Sequence, residues 1–452
     1  MNKIKSIVVA TLLCSSLSGC GLYSKFENPA EEVVSVDSLY TYLTAVDQTT
    51  SIASLEWREL FTDSKLQSLI ETALENNTDL NVAQLSVEQA EVALKTARLS
   101  YLPSVNLQGS YSPKMSGNSE SYSVGVAASW EIDLFGRIRN AKEQSKAAAE
   151  QSKAYRQAVQ TQLIATVANS YYTLLMLDEQ LSISLQTLKN WEDNLRVMEA
   201  LKRAGKINVT SVLQSEASKV SLMSSVEEIE RQIKVLESTI STLLAVVPQQ
   251  IERGKLSEVS FPDELSAGLP IELLSNRPDV KAAEYNLAQS FYAVGEARSS
   301  LYPTITLSGS AGYVGAADPG EMIYSVAASL LQPIFNAKAL RGQLQISKMQ
   351  QEQALLQFKQ TILDAGAEVN QTLIGWQSAR ASLQFSLEKI EILTKAVKSS
   401  ELLMKHGNVN YLEVLTAQNT LLSAELSSAS DRFDEIDNVI ELYRALGGGN
   451  VE

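Results

Sequence analysis

Two stretches of the chain, 200 residues apart, leave helical spacing for strict alternation. Val105, Leu107, Gly109 and Tyr111 fall on one face, with Ser104, Asn106, Gln108 and Ser110 on the other. In the second stretch Ile305, Leu307, Gly309, Ala311 and Tyr313 oppose Thr304, Thr306, Ser308, Ser310 and Gly312. Period two is the spacing of a strand with two unlike faces. A polar loop follows each run (112–121 and 315–321), then a second alternation. Tyr122, Val124, Val126, Ala128, Trp130 and Ile132 oppose Ser123, Gly125, Ala127, Ser129, Glu131 and Asp133. The fourth run, Tyr324 to Leu331, is weaker. The pattern predicts two hairpins, 104–133 and 304–332, apolar on one face and small and polar on the other.

The rest reads as helix. Leu80 to Ala97 and Val280 to Ala297 are rich in Ala, Gln and Glu and lack Pro, and Pro103 and Pro303 end them. Ala141 to Arg203 runs 63 residues without Pro or Gly, about 95 Å as one helix. Gly205 and Gly407 are natural breaks before returning segments. On the returns, Val226, Ile229, Ile233, Leu236, Ile240 and Leu243, and then Phe433, Ile436, Ile440 and Tyr443, carry the 3,4 spacing of a coiled-coil seam. Leu383, Leu387, Ile390 and Val397 carry it on an outgoing helix.

These two series are an internal tandem repeat. At offset 200, Arg98, Pro103 and Leu107 match Arg298, Pro303 and Leu307; Ala127 to Ser129 match Ala327 to Ser329, and Phe135 matches Phe335. The offset becomes 202 for Arg139 with Arg341, Gly205 with Gly407, and Val212-Leu213 with Val414-Leu415. The expected organisation is a signal peptide (1–19), an N-terminal segment (20–62), a first repeat (63–248), a linker (249–270), a second repeat (271–446) and a tail (447–452).

Ten-residue amphipathic strands match those that cross a membrane. Tyr111, Tyr122, Trp130, Tyr313 and Tyr324 near their ends read as bilayer-interface anchors. Four strands cannot close a barrel, and an open edge is not viable in lipid, so embedded strands require oligomerisation. Mean hydropathy of −0.05 argues against membrane helices and is blind to alternating strands. The N-terminus has a basic start (Lys3, Lys5), an apolar run (Ile7 to Leu13) and then Leu17-Ser18-Gly19-Cys20. That is the plan of a secretory signal and resembles the bacterial lipoprotein box, with Cys20 as the acylation site. The alternative is an ordinary signal peptide. Cleavage before Cys20 removes Cys14 and leaves 36 basic against 52 acidic residues, so the net charge of −14 becomes −16 and no disulfide is available.

The chain resembles the outer membrane factors of the TolC/OprM type, in the lipoprotein (NodT-type) branch that serves RND efflux pumps. The resemblance rests on Ala97-Arg98-Leu-Ser-Tyr-Leu-Pro103 with its echo Ala297 to Pro303, and on Trp130-Glu-Ile-Asp-Leu-Phe-Gly-Arg137. Leu274-Ser-Asn-Arg-Pro-Asp-Val280 and Gly407-Asn-Val-Asn-Tyr-Leu-Glu-Val-Leu-Thr-Ala-Gln418 add to it. It implies an α+β membrane fold: a trimeric 12-stranded transmembrane β-barrel, four strands per protomer, continuous with a long α-helical coiled-coil barrel. It implies a homotrimer in the outer membrane of a Gram-negative bacterium, lipid-anchored, with a large periplasmic part. A periplasmic adaptor, an inner membrane RND-type transporter and outer membrane lipids are the implied partners.

By the same resemblance, Glu413 stands where the family places an acidic ring at the periplasmic gate, with Thr416 at the next acidic position and Ser211 at the equivalent site of the first repeat. A plain solvated helix face is the alternative for Glu413. The tips 203–208 and 405–410, with Gly205, Lys206, His406 and Gly407, are implied adaptor contacts.

One His and no mature Cys other than the acylation site Cys20 leave no Ser-His-Asp, Cys-His or zinc arrangement, and there is no phosphate-binding P-loop. The chain is therefore expected to be no enzyme and to need no cofactor or metal. An excess of acid argues against nucleic acid as the main partner. A duct for type I protein secretion and a structural coiled-coil periplasmic lipoprotein remain as alternatives.

Overall fold

The structure is a computed structural model that describes residues 23–30, 34, 39, 52, 55–113, 120–261, 276–315, 320–335, 338–406 and 411–449. Cys20 and Gly407 lie outside the described residues. The elements are α1 (Trp57–Leu60), α2 (Ser64–Asn76), α3 (Thr78–Leu99), β1 (Ser104–Ser112), β2 (Ser121–Ile132), α4 (Arg137–Arg203), α5 (Val209–Leu243), α6 (Pro278–Ser299), β3 (Thr304–Gly315), β4 (Glu321–Leu331), α7 (Ala339–Lys405) and α8 (Tyr411–Ala445). Helix lengths recur in order: 22, 67 and 35 residues for α3, α4 and α5, then 22, 67 and 35 for α6, α7 and α8. Both hairpins form, and β4 begins at Glu321, before the expected Tyr324.

The chain divides into two compact units. One contains 84–155 and 279–361 and holds the sheet; the other contains 34–83, 156–278 and 362–452. The sheet has four antiparallel strands in the order β1-β2-β3-β4. Tyr111 lies opposite Tyr122, Trp130 opposite Leu307, and Ile305 opposite Leu330. The alternating apolar residues of β1, β2 and β3 therefore share one face with Met322, Tyr324, Val326, Ala328 and Leu330, and the Ser, Thr, Asn and Gln residues lie on the other, with Val314, Ile323 and Leu331 among them. Two serine pairs bridge the hairpins on the polar face, Ser110 with Ser123 at 2.8 Å and Ser310 with Ser325 at 2.7 Å. Gly125 and Gly312 face each other there. A Cβ on Gly125 would stand 2.9 Å from the Gly312 Cα, closer than a side chain tolerates.

The serine pairs correct the repeat offset. Ser110 and Ser310 are 200 apart, but Ser123 and Ser325 are 202 apart, as are Arg137 and Ala339 at the starts of α4 and α7. Gly136 (φ +79°) and Lys338 (φ +66°) share the same left-handed turn at that spacing. The match of 127–129 with 327–329 is thus two residues out of structural register. The extra pair of residues enters in the hairpin loop, where length is free to vary, and not after Phe335.

In the second unit the seams are unequally buried. Val226, Ile233 and Ile240 in α5, and Ile436, Ile440 and Tyr443 in α8, are buried. Leu387 in α7 is exposed, against expectation. With Leu383, Ile390, Leu256 and Ala429 it lines a groove of about 570 Å³. Arg277 donates to Glu368 and to the Ala445 carbonyl, both at 2.6 Å, which ties the segment before α6 to α7 and α8. Arg253 pairs with Asp178 and Glu237, each at 2.5 Å, and fixes the strand-less stretch after α5.

Candidate membrane sheet and helix-turn tips

Among the described residues little packs against the middle of the sheet's apolar face. Leu107 is 77% exposed and Val326 91%. The aromatics expected as interface anchors lie toward its two ends. Tyr111, Tyr122, Tyr313 and Tyr324 lie at the loop end: Tyr111 opposes Tyr122, the Tyr122 and Tyr313 rings are 6.2 Å apart, and the Tyr111 hydroxyl donates to Glu120 at 2.9 Å. Trp130 lies toward the other end and donates from Nε1 to the Tyr101 carbonyl at 2.9 Å. Eight residues separate Tyr122 from Trp130, about 27 Å at the rise of an antiparallel strand. That is close to the ~25 Å apolar band of a transmembrane barrel.

The motif 130–137 is an exit device from strand to helix. Glu131 holds Arg137 at 2.7 Å and 2.9 Å, and Gly136 supplies the left-handed turn. The Asp133 carboxylate accepts from the Ile138 and Arg139 backbone N–H groups at 3.1 and 2.8 Å, caring for donors that the first turn leaves free.

At the far end of α4 the chain reverses. The Lys206 N–H bonds to the Leu201 carbonyl and the Gly205 N–H to the Lys202 carbonyl, the paired bonds of a Schellman cap. Gly205 sits at φ +69°, where a Cβ is strained although nothing lies near it. Asn208 then caps α5 by accepting from the Thr210 N–H. Lys206 is exposed here, and His406 is exposed at the end of α7. The segment behind is held by a small core of Met198, Val212, Tyr411, Val414 and Leu415, so α5 and α8 start side by side.

Glu413 and Thr416 lie one turn apart on the exposed side of α8, away from Val414 and Leu415. The Thr416 hydroxyl donates to the Leu412 carbonyl. Ser211 is half-buried on α5, and its carbonyl accepts from the Ser215 hydroxyl at 3.0 Å. Sequence reasoning did not single out the polar groove of about 550 Å³ among α4, α7 and α8. Trp191, Glu401, Gln418 and Glu425 line it, Gln418 donates to Glu401 at 3.0 Å, and burial raises the Glu425 carboxyl. Its residues are scattered over three helices, so no local motif announces it. Among the described residues no cluster of three or more metal-ligating groups occurs, and no helix is long and apolar enough to cross a membrane.

The outer membrane efflux protein family model matches residues 69–246 and again 269–448. The chain is 28% identical to the toluene efflux pump outer membrane protein TtgC of Pseudomonas putida, over 98% of this chain and 96% of TtgC. It is 28% identical to the cation efflux system protein CusC of Escherichia coli K12, over 96% of this chain and 97% of CusC. The open state of the Neisseria gonorrhoeae MtrE outer membrane channel superposes with a TM-score of 0.83 at 28% identity, covering 95% of this chain and 98% of MtrE. With most of its length matched in two parts, the chain belongs to the outer membrane efflux protein family and is a non-enzymatic outer membrane channel protein with a large periplasmic part.

Proposed function

We propose that this chain is the outer membrane component of a tripartite efflux pump, a passive conduit that releases small toxic molecules to the exterior. An inner membrane RND-type transporter supplies the energy and a periplasmic adaptor joins the two. The observation that carries this reading is the in-register apolar face of the sheet, with interface aromatics at both ends and polar residues opposite. Three copies give a 12-stranded barrel whose polar face lines the lumen, and Cys20 carries the lipid anchor. The crowding at Gly125 and Gly312 supports a sheet curled toward its polar side. Relatives named for toluene and for cations match equally well, which fits a conduit that serves different transporters.

Glu413 forms one acidic ring at the periplasmic end, followed by Thr416, with Ser211 from the other repeat. Gly205, Lys206, His406 and Gly407 form the tips that meet the adaptor. A deletion strain tests the reading. It should become sensitive to a panel of dyes, detergents and antibiotics, recover with the gene restored, and yield an adaptor that co-purifies with the restored protein. Unchanged susceptibility with no adaptor bound overturns it. For the gate, Glu413→Gln should weaken block of single-channel current by divalent cations; an unchanged response removes Glu413 from the constriction.

A further inference from the structure

Two grooves of the helical unit join into one trough. The polar groove of about 550 Å³ and the apolar groove of about 570 Å³ share Ile183 of α4 and Glu425 of α8. α8 supplies the floor, where Gln418, Leu422, Glu425, Ala429 and Arg432 recur at helical spacing, about 21 Å from first to last. α4 and α7 supply the walls. Each groove has the volume of a small-molecule site.

The two ends differ in chemistry. At the Arg432 end the α7 wall is Leu383, Leu387 and Ile390, and Arg432 is held by Glu435 and the Val259 carbonyl. At the other end stand Trp191, Glu401 and Gln418. Gln418 is nine-tenths buried. Its amide nitrogen donates to Glu401 at 3.0 Å, and its amide oxygen has no hydrogen-bond partner among the described residues. A buried acceptor without a donor is costly, and such groups are rare.

The repeat shows what is missing. In the first repeat Glu199 pairs with Lys202 at 2.7 Å, and Glu192 with Lys219 at 2.9 Å. An offset of 202 relates the starts of α4 and α7, and those of α5 and α8. It puts Glu401 at the place of Glu199, Met404 at that of Lys202 and Leu421 at that of Lys219. Both lysines are gone while an acid stays. Among the described residues neither Glu401 nor Glu425 is in an ion pair, and burial raises the Glu425 carboxyl. Nor do they belong to a cluster of three or more metal-ligating groups, so the spacing suits an organic cation better than a metal ion.

We propose that this trough binds an amphiphilic organic cation bearing N–H donors. Its charged end lies over α8 between Gln418 and Glu425, where an N–H donates to the Gln418 amide oxygen and Glu401 and Glu425 balance the charge. Its apolar body lies along Leu383, Leu387 and Ile390. The site is built from one chain and does not rest on the efflux reading.

Ethidium, an aromatic cation with two amino groups, is the probe, titrated by equilibrium dialysis into the full-length protein in lipid nanodiscs, with empty nanodiscs as the blank. Saturable binding at one site per chain is expected. Glu425→Gln should weaken it about tenfold, the effect of one lost charge-assisted contact. Leu421→Lys, which restores the lysine of the first repeat, should weaken it at least as much. The uncharged diaminophenanthridine of the same outline should bind about tenfold more weakly than ethidium. Unchanged helical circular dichroism and native mass show that each variant is folded. Absence of saturable binding overturns the proposal, as does binding that neither variant weakens. Equal binding of the uncharged analogue overturns the part given to the carboxylates.

Discussion

In the sheet, Val326 is 91% and Leu107 77% exposed, while Ile436 and Ile440 in α8 are fully buried. Both regions draw on the same aliphatic side chains, yet one wears them outside and the other inside. Water would penalise the sheet by roughly 25 cal/mol for each Å² of apolar surface left in it, and a contiguous exposed apolar patch across four strands marks a membrane or protein contact. On the proposed reading, the difference is that the two regions meet different solvents. The helical unit solves the usual problem of burial from water. The sheet keeps its small polar residues together on one face, bridged by serines, and in the proposed channel it turns the other face toward hydrocarbon.

The strongest challenge to that contrast comes from truncation in the helical seam. Ile440→Ala should cost about 2–5 kcal/mol, read as a lower urea midpoint of the helical circular dichroism; a similar cost for Val326→Ala would erase the distinction. Next comes charge on the outer face. Leu107 lies opposite Val126, midway between Tyr122 and Trp130, so Leu107→Arg should cost about 2–4 kcal/mol of folding stability in vesicles. Gln108→Arg on the polar face should cost much less.

The closest backbone approach gives a smaller effect. Gly125→Val forces a side chain against Gly312 and should cost about 1–3 kcal/mol, seen as dissociation of the assembled protein at lower temperature. Asn208→Ala removes the α5 cap and should cost about 1 kcal/mol, a shift in melting temperature with assembly intact.

The smallest effect depends on pH. Burial, with Glu441 and Asp434 nearby, pushes Asp437 up from 3.8 to about 6, although Asn169 donates to it. The folded state therefore binds its proton more tightly than the unfolded state. Ionisation of Asp437 costs stability above pH 6, and that cost fades as pH falls from 6 toward 3.8. Asp437→Asn should stabilise the protein at pH 8, with the gain gone at about pH 4; a gain that persists or grows in acid would contradict the sign.

Much of the fold was legible because its signals are periodic. Alternation located the four strands and their faces, and a Pro- and Gly-free run located α4 to its last residue, Arg203. Gly205 was readable as a reversal because left-handed backbone favours that residue. The repeat offset in the hairpins was misread: 127–129 and 327–329 share identity, but the hydrogen-bonded strands place the equivalence two residues further on. Identity among small residues is weak evidence of register. The Gly125–Gly312 approach and the clamp on Arg277 were hidden because each joins residues far apart in the chain. Glu413 and Thr416 were singled out by the family resemblance alone; both lie exposed, one turn apart on α8, while any part in a ring depends on copies of the chain.

The central claim, that the apolar face meets lipid, is tested most directly by a spin-label scan of β4 in the reconstituted protein. Cysteines placed singly at 322–330 would each carry a nitroxide, probed with oxygen and with a water-soluble nickel chelate. The account predicts period two: labels at Met322, Tyr324, Val326, Ala328 and Leu330 favour oxygen, and labels at Ile323, Ser325, Ala327 and Ser329 favour nickel. Uniform access of nickel to both sets would contradict it.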